Sequence, residues 1–142
     1  MNEQQPERQP VSFLSPEQAQ DLVAIGDRAR GALSRFSGRD VAFDAESVQL
    51  LDEWIAAYVE ADSDPPEQMR LLWATFLGEL FRRRHAGWWA FRNGDLVIVC
   101  PTDGGDFRVV SPREHVDSRI AFGMSESLTY FYNLTRIELK LG

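Results

Sequence analysis

Apolar residues recur at a spacing of three and four along most of the first 85 positions of the chain. In an α-helix this spacing places side chains on one face, so it predicts helices separated by polar breaks. The first helix begins at Ser15-Pro16, where Gln18 can complete a capping box with Ser15, and it ends at Ser37-Gly38. Its apolar stripe consists of Leu22, Val23, Ile25, Gly26, Ala29, Leu33 and Phe36.

Two further helices follow with the same periodicity. The second covers about residues 46–62 with Asp44 as its cap. The third begins after Pro65-Pro66 and reaches His85 before the chain breaks at Gly87. The third is the most apolar, so we expect it to lie at the centre of the fold. Its apolar residues are Met69, Leu72, Trp73, Phe76, Leu77, Leu80 and Phe81.

After Gly87 the period of the pattern changes to two, which indicates β-strands. Asn93-Gly94 separates two apolar runs and predicts a hairpin. Asp-Gly-Gly-Asp at residues 103–106 predicts a second turn, and a third strand follows at residues 107–110. The pattern therefore predicts a three-stranded antiparallel meander. Adjacent Trp88 and Trp89 must point to opposite faces of it, one toward the core and one toward the rim.

Two helices complete the predicted fold. Ser111-Pro112 repeats the start signal of the first helix and opens a short helix that ends at Gly123. Ser125 is the predicted cap of the last helix. Three helices, a meander and two helices form an α+β fold, with no repeat or linker to divide it. We therefore expect a single domain over residues 13–142, preceded by a polar, flexible tail at residues 1–12.

Composition narrows the class of protein. The chain has 142 residues, 44% of them apolar, which is enough for a globular core. A single cysteine excludes the disulfide-dense secreted class. No apolar run approaches the roughly 18 residues of a membrane span, and the polar, acidic start of the chain is unlike a signal peptide. We therefore expect a cytoplasmic protein that does not interact with membranes.

The net charge of −7 is unevenly distributed. Residues 1–67 contain 14 acids and 5 bases, whereas residues 68–142 contain 8 acids and 10 bases. Residues 40–67 contain nine acids and no base, a segment that would repel nucleic acid. Two interpretations stay open: a solvated helix face that keeps the protein soluble, and a docking surface for a basic protein partner. The residues of this acidic face are Asp52, Glu53, Glu60 and Asp62.

Glu79 and Arg83 are polar residues within or beside the apolar stripe of the third helix. They are four residues apart in the order that favours a salt bridge. Against a core, such groups must be paired to offset the cost of losing their water. One interpretation is an internal ion pair that fixes the helix. The other is an acid and an anion clamp at the floor of a pocket.

Residues for metal or nucleophilic chemistry are few. His85, Cys100 and His115 lie 15 residues apart, which matches no short metal-ligand spacing. Cys100 ends an apolar strand and is expected to be buried, and both histidines are expected to face solvent. No phosphate-binding loop, dinucleotide fingerprint or hydrolase motif is present. The sequence therefore favours a non-enzymatic protein without a metal or cofactor, although an enzyme is not excluded.

Several of these residues also occur in a longer pattern, Gly-Glu-x-x-x-Arg, Gly-x-Trp, Pro and Arg, over residues 68–135. This pattern resembles a family of bacterial domains of unknown function, from which the chain departs in having Ala86 where a glycine is expected. The resemblance implies a compact α+β module and carries no activity with it. It singles out one candidate binding cluster, with Arg119 as a second partner for Glu79: Glu79, Arg83, Trp89 and Arg119.

Two functions follow from the sequence as hypotheses. The first is a non-enzymatic bacterial protein-interaction module, comparable to an immunity protein or a chaperone, that uses the acidic face. The alternative is a small-ligand or enzymatic pocket built around the candidate cluster. The partner in the first case is another protein, or a second copy of the chain if Trp54 or Trp88 is left exposed.

Overall fold

The computed structural model describes residues 10–142, and within them it has five α-helices and a four-stranded antiparallel sheet. The predicted α+β class is therefore confirmed. The elements in chain order are β1 (Ser12–Phe13), α1 (Pro16–Ser37), α2 (Ala45–Ala61), α3 (Glu67–Arg84), β2 (Trp88–Arg92), β3 (Asp95–Pro101), β4 (Phe107–Val110), α4 (Pro112–Phe122) and α5 (Leu128–Leu141).

The sheet has one strand more than the sequence predicts. Its order is β1-β2-β3-β4, with Ser12 opposite Phe91 and Phe13 opposite Ala90. A strand of two residues is too short to show alternation, so the periodicity gives no signal for β1. Ser12 is also the last residue of the predicted tail, and its pairing places it in the sheet. Residues 1–9 of that tail lie outside the described residues.

Side-chain caps begin α1, α2 and α5, whereas Pro66 and Ser111 precede α3 and α4 without a side-chain cap hydrogen bond. Ser15 and Gln18 form the predicted capping box at α1, and Gly38 ends that helix in the left-handed region with a φ of 71°. Asp44 caps α2, also as predicted. The cap of α5 is Ser127 instead of Ser125.

The displaced cap has a local cause. Gly123–Glu126 form a turn of 3-10 helix between α4 and α5, and Ser125 donates its hydroxyl to the carbonyl of Phe122, at 2.9 Å, within it. The Ser127 side chain is then the one that accepts from the backbone N–H of Tyr130, at 3.0 Å.

Helix α3 lies at the centre of the fold, as its composition predicts. Every residue from Trp73 to Phe81 is buried, so this stretch of the helix is covered on all sides. Two glycines allow this close packing. A Cβ on Gly78 would lie 2.6 Å from Cζ2 of Trp89, and one on Gly26 of α1 would lie 2.6 Å from Cγ of Glu79.

The two faces of the sheet differ in what covers them. Trp89, Ile98, Cys100 and Val110 belong to the main core with α3. The opposite face contains a small separate cluster of Ala90, Val97 and Val99. Trp88 is on this second face and is 50% exposed, whereas Trp89 is 5% exposed. The prediction that the two tryptophans point in opposite directions is confirmed. Among residues 10–142, no helix combines the length and the apolar character that crossing a membrane requires.

Candidate functional site

Glu79 is the centre of a buried hydrogen-bond network. Its side chain has no exposed surface, and its carboxylate accepts from Arg83 Nε at 3.1 Å, as the helical spacing predicts. Arg82 contributes two shorter bonds, from Nε at 2.7 Å and Nη2 at 2.9 Å, and Trp89 Nε1 donates at 2.8 Å. Sequence reasoning missed Arg82, although its i,i+3 spacing from Glu79 is the signal that could have found it.

The charge of Glu79 is stabilised despite its burial. Loss of water raises the pKa of its carboxyl, but the hydrogen bonds from Arg82 and Trp89 and the charge of Arg82 outweigh this and hold the pKa below its ordinary value. Both carboxylate oxygens each accept two hydrogen bonds. The carboxylate is therefore ionised and saturated at neutral pH, a state that suits an anchor for Arg82 and Trp89.

The network connects three elements of the fold. Arg83 extends from α3 to Asp27 of α1, at 3.2 Å, and its guanidinium lies 4.1 Å from the centre of the Phe43 ring. Trp89 brings in β2. Glu79, Arg83 and Trp89, three of the four residues of the candidate binding cluster, are thus brought together by the structure.

Arg119 lies elsewhere, and the expectation that it partners Glu79 is wrong. Its Nε donates to Oδ1 of Asp52 at 3.0 Å and its Nη2 donates to the backbone carbonyl of Asp52 at 3.1 Å. Both side chains are 4% exposed. Asp52 is therefore buried, and the expectation that it belongs to an exposed acidic face is wrong.

Asp52 is buried because the start of α5 packs on it. Its carboxylate accepts from the backbone N–H of Leu128 at 3.0 Å and from that of Thr129 at 2.9 Å. The hydroxyls of Ser127 and Thr129 add bonds of 3.3 and 2.7 Å. A carboxylate at this position satisfies amide groups that a helix start leaves free and complements its dipole. Helical spacing on α2 alone cannot show that these groups arrive there.

The other three residues of the acidic face are exposed. Glu53, Glu60 and Asp62 form no ion pair with any residue in the described range 10–142. Beside Glu53 is a groove of about 370 Å³ whose wall includes Met124, which is 61% exposed. The exposed part of the acidic face therefore adjoins an apolar surface.

A larger cavity, of about 820 Å³, is lined by residues from all four strands of the sheet and from α1 and α3. Three exposed aromatic side chains form one wall: the rings of Phe13 and Trp88 are 6.2 Å apart, and those of Trp88 and Phe107 are 6.3 Å apart. Arg82 and Trp89 also line this cavity. The Glu79 network therefore borders it through two residues that Glu79 holds in place, while Glu79 itself stays sealed.

The histidines and the cysteine have other surroundings. Cys100 is buried, as predicted, and burial raises the pKa of its thiol to about 12. The expectation of solvent-facing histidines is wrong, because both are half-buried. Nε2 of His85 lies 2.9 Å from the hydroxyl of Tyr132, and the ring of His115 stacks on Phe131 with centres 3.5 Å apart. Residues 10–142 contain no group of three or more His, Cys, Asp or Glu side chains that could hold a metal ion.

A second cluster of charge was not predicted. The C-terminal ends of α3 and α5 bring Arg84, Arg136 and Lys140 to one cavity of about 720 Å³, together with His85 and Tyr132. The sequence signal for it is the i,i+4 spacing of Arg136 and Lys140, which places both on one side of α5. Their proximity to Arg84 is a property of the tertiary fold alone.

Comparison with known proteins gives no relative: no protein-family model matches the chain, and neither curated proteins nor solved structures provide a match. The geometry of the chain itself is therefore what supports a function.

Proposed function

We propose that this chain is a non-enzymatic protein-interaction module that binds a basic partner through the exposed acidic face, which consists of Glu53, Glu60 and Asp62. One observation carries the proposal: these three carboxylates are exposed and have no cationic partner in residues 10–142. Neighbouring acids are paired, as shown by Glu46 with Arg39 at 2.6 Å and Asp64 with Arg70 at 3.2 Å.

The contrast matters because unpaired carboxylates attract cations over a longer range than paired ones. Acids that already share an arginine contribute little net field, whereas unpaired carboxylates attract a basic surface and repel an acidic one. Such complementarity chiefly raises the association rate and the specificity of a complex.

The apolar surface beside the acids indicates the chemistry of the partner. Met124 and Phe122 are 61% and 68% exposed, and Met124 shares its groove with Glu53. Protein interfaces combine an apolar centre with a charged or polar rim. The partner is therefore a basic, amphipathic segment of another protein, whose apolar side contacts Met124 and whose cations contact the acidic face.

The test is capture of partners by a photo-crosslinker placed at Gln49, which lines the same groove and is exposed. A charge-reversed variant (Glu53→Lys, Glu60→Lys and Asp62→Lys) is compared with a control of equal charge (Asp21→Lys, Asp95→Lys and Glu114→Lys), all exposed positions. We expect the first variant to lose a crosslinked partner that the control retains. Retention of every partner by the charge-reversed variant would contradict the proposal.

A second candidate function is binding of a small apolar ligand in the cavity between Phe13, Trp88 and Phe107. The cavity size favours it, since about 820 Å³ lies within the range of small-molecule pockets. Arg82, held by Glu79 on one side, supplies a cation at the wall.

The test uses anilinonaphthalene sulfonate, a fluorescent probe with an apolar body and one anion. We expect Trp88→Ala to weaken its binding and Phe122→Ala, a control at an exposed aromatic outside the cavity, to leave it unchanged. Equal binding by both variants would contradict this candidate.

A further inference from the structure

The cavity between α3 and α5 contains positive charge that the protein does not neutralise. Arg84, Arg136 and Lys140 form no ion pair with a carboxylate of the described residues. The lining residues that the structure describes include one acid, Asp103. Three unpaired cations around one cavity are notable in a chain with a net charge of −7, because carboxylates are abundant elsewhere on it.

Helix dipoles explain only part of this cluster. Arg84 is in the last turn of α3 and Lys140 is in the last turn of α5, where a cation stabilises a helix without any ligand. Arg136 is a full turn earlier in α5, beyond the range of that effect. Its guanidinium lies 5.6 Å from the centre of the Tyr132 ring, at the wall of the cavity.

The uncharged part of the wall is ordered and partly apolar. Tyr132 is buried, and its hydroxyl is held by Nε2 of His85 at 2.9 Å. The backbone N–H of Asp103 donates to the carbonyl of Leu139 at 2.9 Å, which fixes the turn after β3 against α5. The remaining wall is apolar, from Ala86, Pro101, Ile137 and Leu139.

We propose that this cavity binds a phosphorylated small molecule, with the phosphoryl group between Arg84, Arg136 and Lys140 and an aromatic or apolar body against Tyr132 and Ile137. A guanidinium group can donate two parallel hydrogen bonds to two oxygens of one phosphate, and a lysine adds a compact positive charge. A volume of about 720 Å³ holds more than a free phosphate ion and is ordinary for a small-molecule pocket. This site is separate from the acidic face and does not rest on the function proposed for it.

His85 provides an independent reporter of the ligand. Burial lowers the pKa of its imidazole, and the charges of Arg136, Arg84 and Lys140 lower it further. The hydroxyl of Tyr132 lies 2.9 Å from its Nε2, and Asp103 is the one acid among the described residues that line the same cavity. A bound phosphate offsets the cations, so it raises the pKa of His85.

The experiment is a titration of the ¹⁵N-labelled full chain, followed by NMR, with inorganic phosphate and with phenyl phosphate. Sodium chloride keeps the ionic strength constant, so that general screening does not change. We expect saturable shifts at Asp103, Tyr132 and Lys140 and tighter binding of phenyl phosphate than of phosphate. The titration of the His85 ring should move to higher pH when phenyl phosphate is bound.

Two variants of equal charge provide the decisive comparison. Arg136→Gln with Lys140→Gln removes two cations of the cavity, and we expect binding to weaken about tenfold or more. Arg28→Gln with Arg35→Gln removes two exposed cations of α1 and should leave binding unchanged. The NMR spectra of both variants must be as well dispersed as that of the wild type, which checks that the variants are folded. If the first variant unfolds, Arg136→Lys keeps the charge and loses the paired donors, and it should weaken binding several-fold.

Three results would overturn the proposal. Shifts that do not saturate, or an equal effect of the two double variants, would mean that the cations respond only to bulk charge. Equal affinity for phosphate and phenyl phosphate would mean that the apolar wall takes no part, which contradicts a small organic phosphate as the ligand.

Discussion

Replacing Asp52 by alanine removes the carboxylate through which α2 contacts both α4 and α5. Asp52 pairs with the 4% exposed side chain of Arg119 and accepts hydrogen bonds from the backbone of Leu128 and Thr129. Asp52→Ala leaves the guanidinium of Arg119 buried without a counter-charge, and it also leaves the first amides of α5 without acceptors.

The size of the effect follows from these two losses. Removing one partner of a buried ion pair costs about 3–5 kcal/mol, and losing a helix N-terminal acceptor costs about 0.5–2 kcal/mol. Because both losses arise from one carboxylate, they are not independent, and we expect the free energy of unfolding to fall by about 4 kcal/mol. This is a large part of the roughly 5–15 kcal/mol that stabilises an ordinary domain.

The assay is urea unfolding followed by circular dichroism, with Glu53→Ala as the control. Glu53 is the next residue on the same helix and is exposed, so its replacement should change the unfolding free energy by no more than about 0.5 kcal/mol. A second variant, Asp52→Ala with Arg119→Met, removes the stranded charge and should be more stable than Asp52→Ala alone. Arg119→Met is also measured alone, so that the sum of the two single effects can be compared with the effect of the double variant. A loss of unfolding free energy below about 1 kcal/mol in Asp52→Ala, or a double variant whose loss equals that sum, would refute this reasoning.

Three further predictions concern the core. Gly78→Ala places a Cβ against the Trp89 ring and should lower stability by about 1–3 kcal/mol in thermal unfolding, whereas Gly31→Ala, which meets only the end of a flexible arginine, should not. Cys100, with a thiol pKa of about 12 and no exposed surface, should react with a thiol reagent at pH 8 only after urea unfolds the chain; fast reaction of the native protein would contradict its burial. Because the pKa of Glu79 in the fold is below 4.5, its ionised form stabilises the protein above that pH, and this stability is lost as pH falls through the lower, folded-state value. Urea midpoints measured from pH 6 to pH 3 should therefore fall more steeply for the wild type than for Glu79→Gln, and parallel curves would contradict the shift.

The Glu79 network shows how a buried charge can serve a neighbouring surface. Glu79 contacts no solvent, yet it fixes Arg82 and Trp89, which line the cavity beside Trp88. Loss of its carboxylate would remove two hydrogen bonds that position Arg82 and one that positions Trp89 at the wall of that cavity. Any ligand that enters it would therefore depend on Glu79 through the position of these two groups.

Local signals were sufficient for most of the secondary structure. Ser15 with Gln18, Asp44, and Asn93-Gly94 each act over two to four residues, so their effect can be read from neighbouring positions. The pairing of Glu79 with Arg83 belongs to the same class, since one helical turn brings the two together. The short strand β1 lacked such a signal because its two residues pair with Phe91 and Ala90 of β2, which lie far along the chain.

The candidate surfaces depended on contacts between distant parts of the chain. Asp52 and Glu53 are adjacent acids on α2, and the sequence gives no reason to separate them. Only the arrival of Arg119 of α4 and of the start of α5, 67 and 76 residues later, buries the first and leaves the second in solvent. In the same way, the packing of α3 and α5 brings Arg84 and Arg136 to one cavity. The physical reason is that burial and local field depend on what packs against a residue, and for these residues that neighbour comes from another element of the fold.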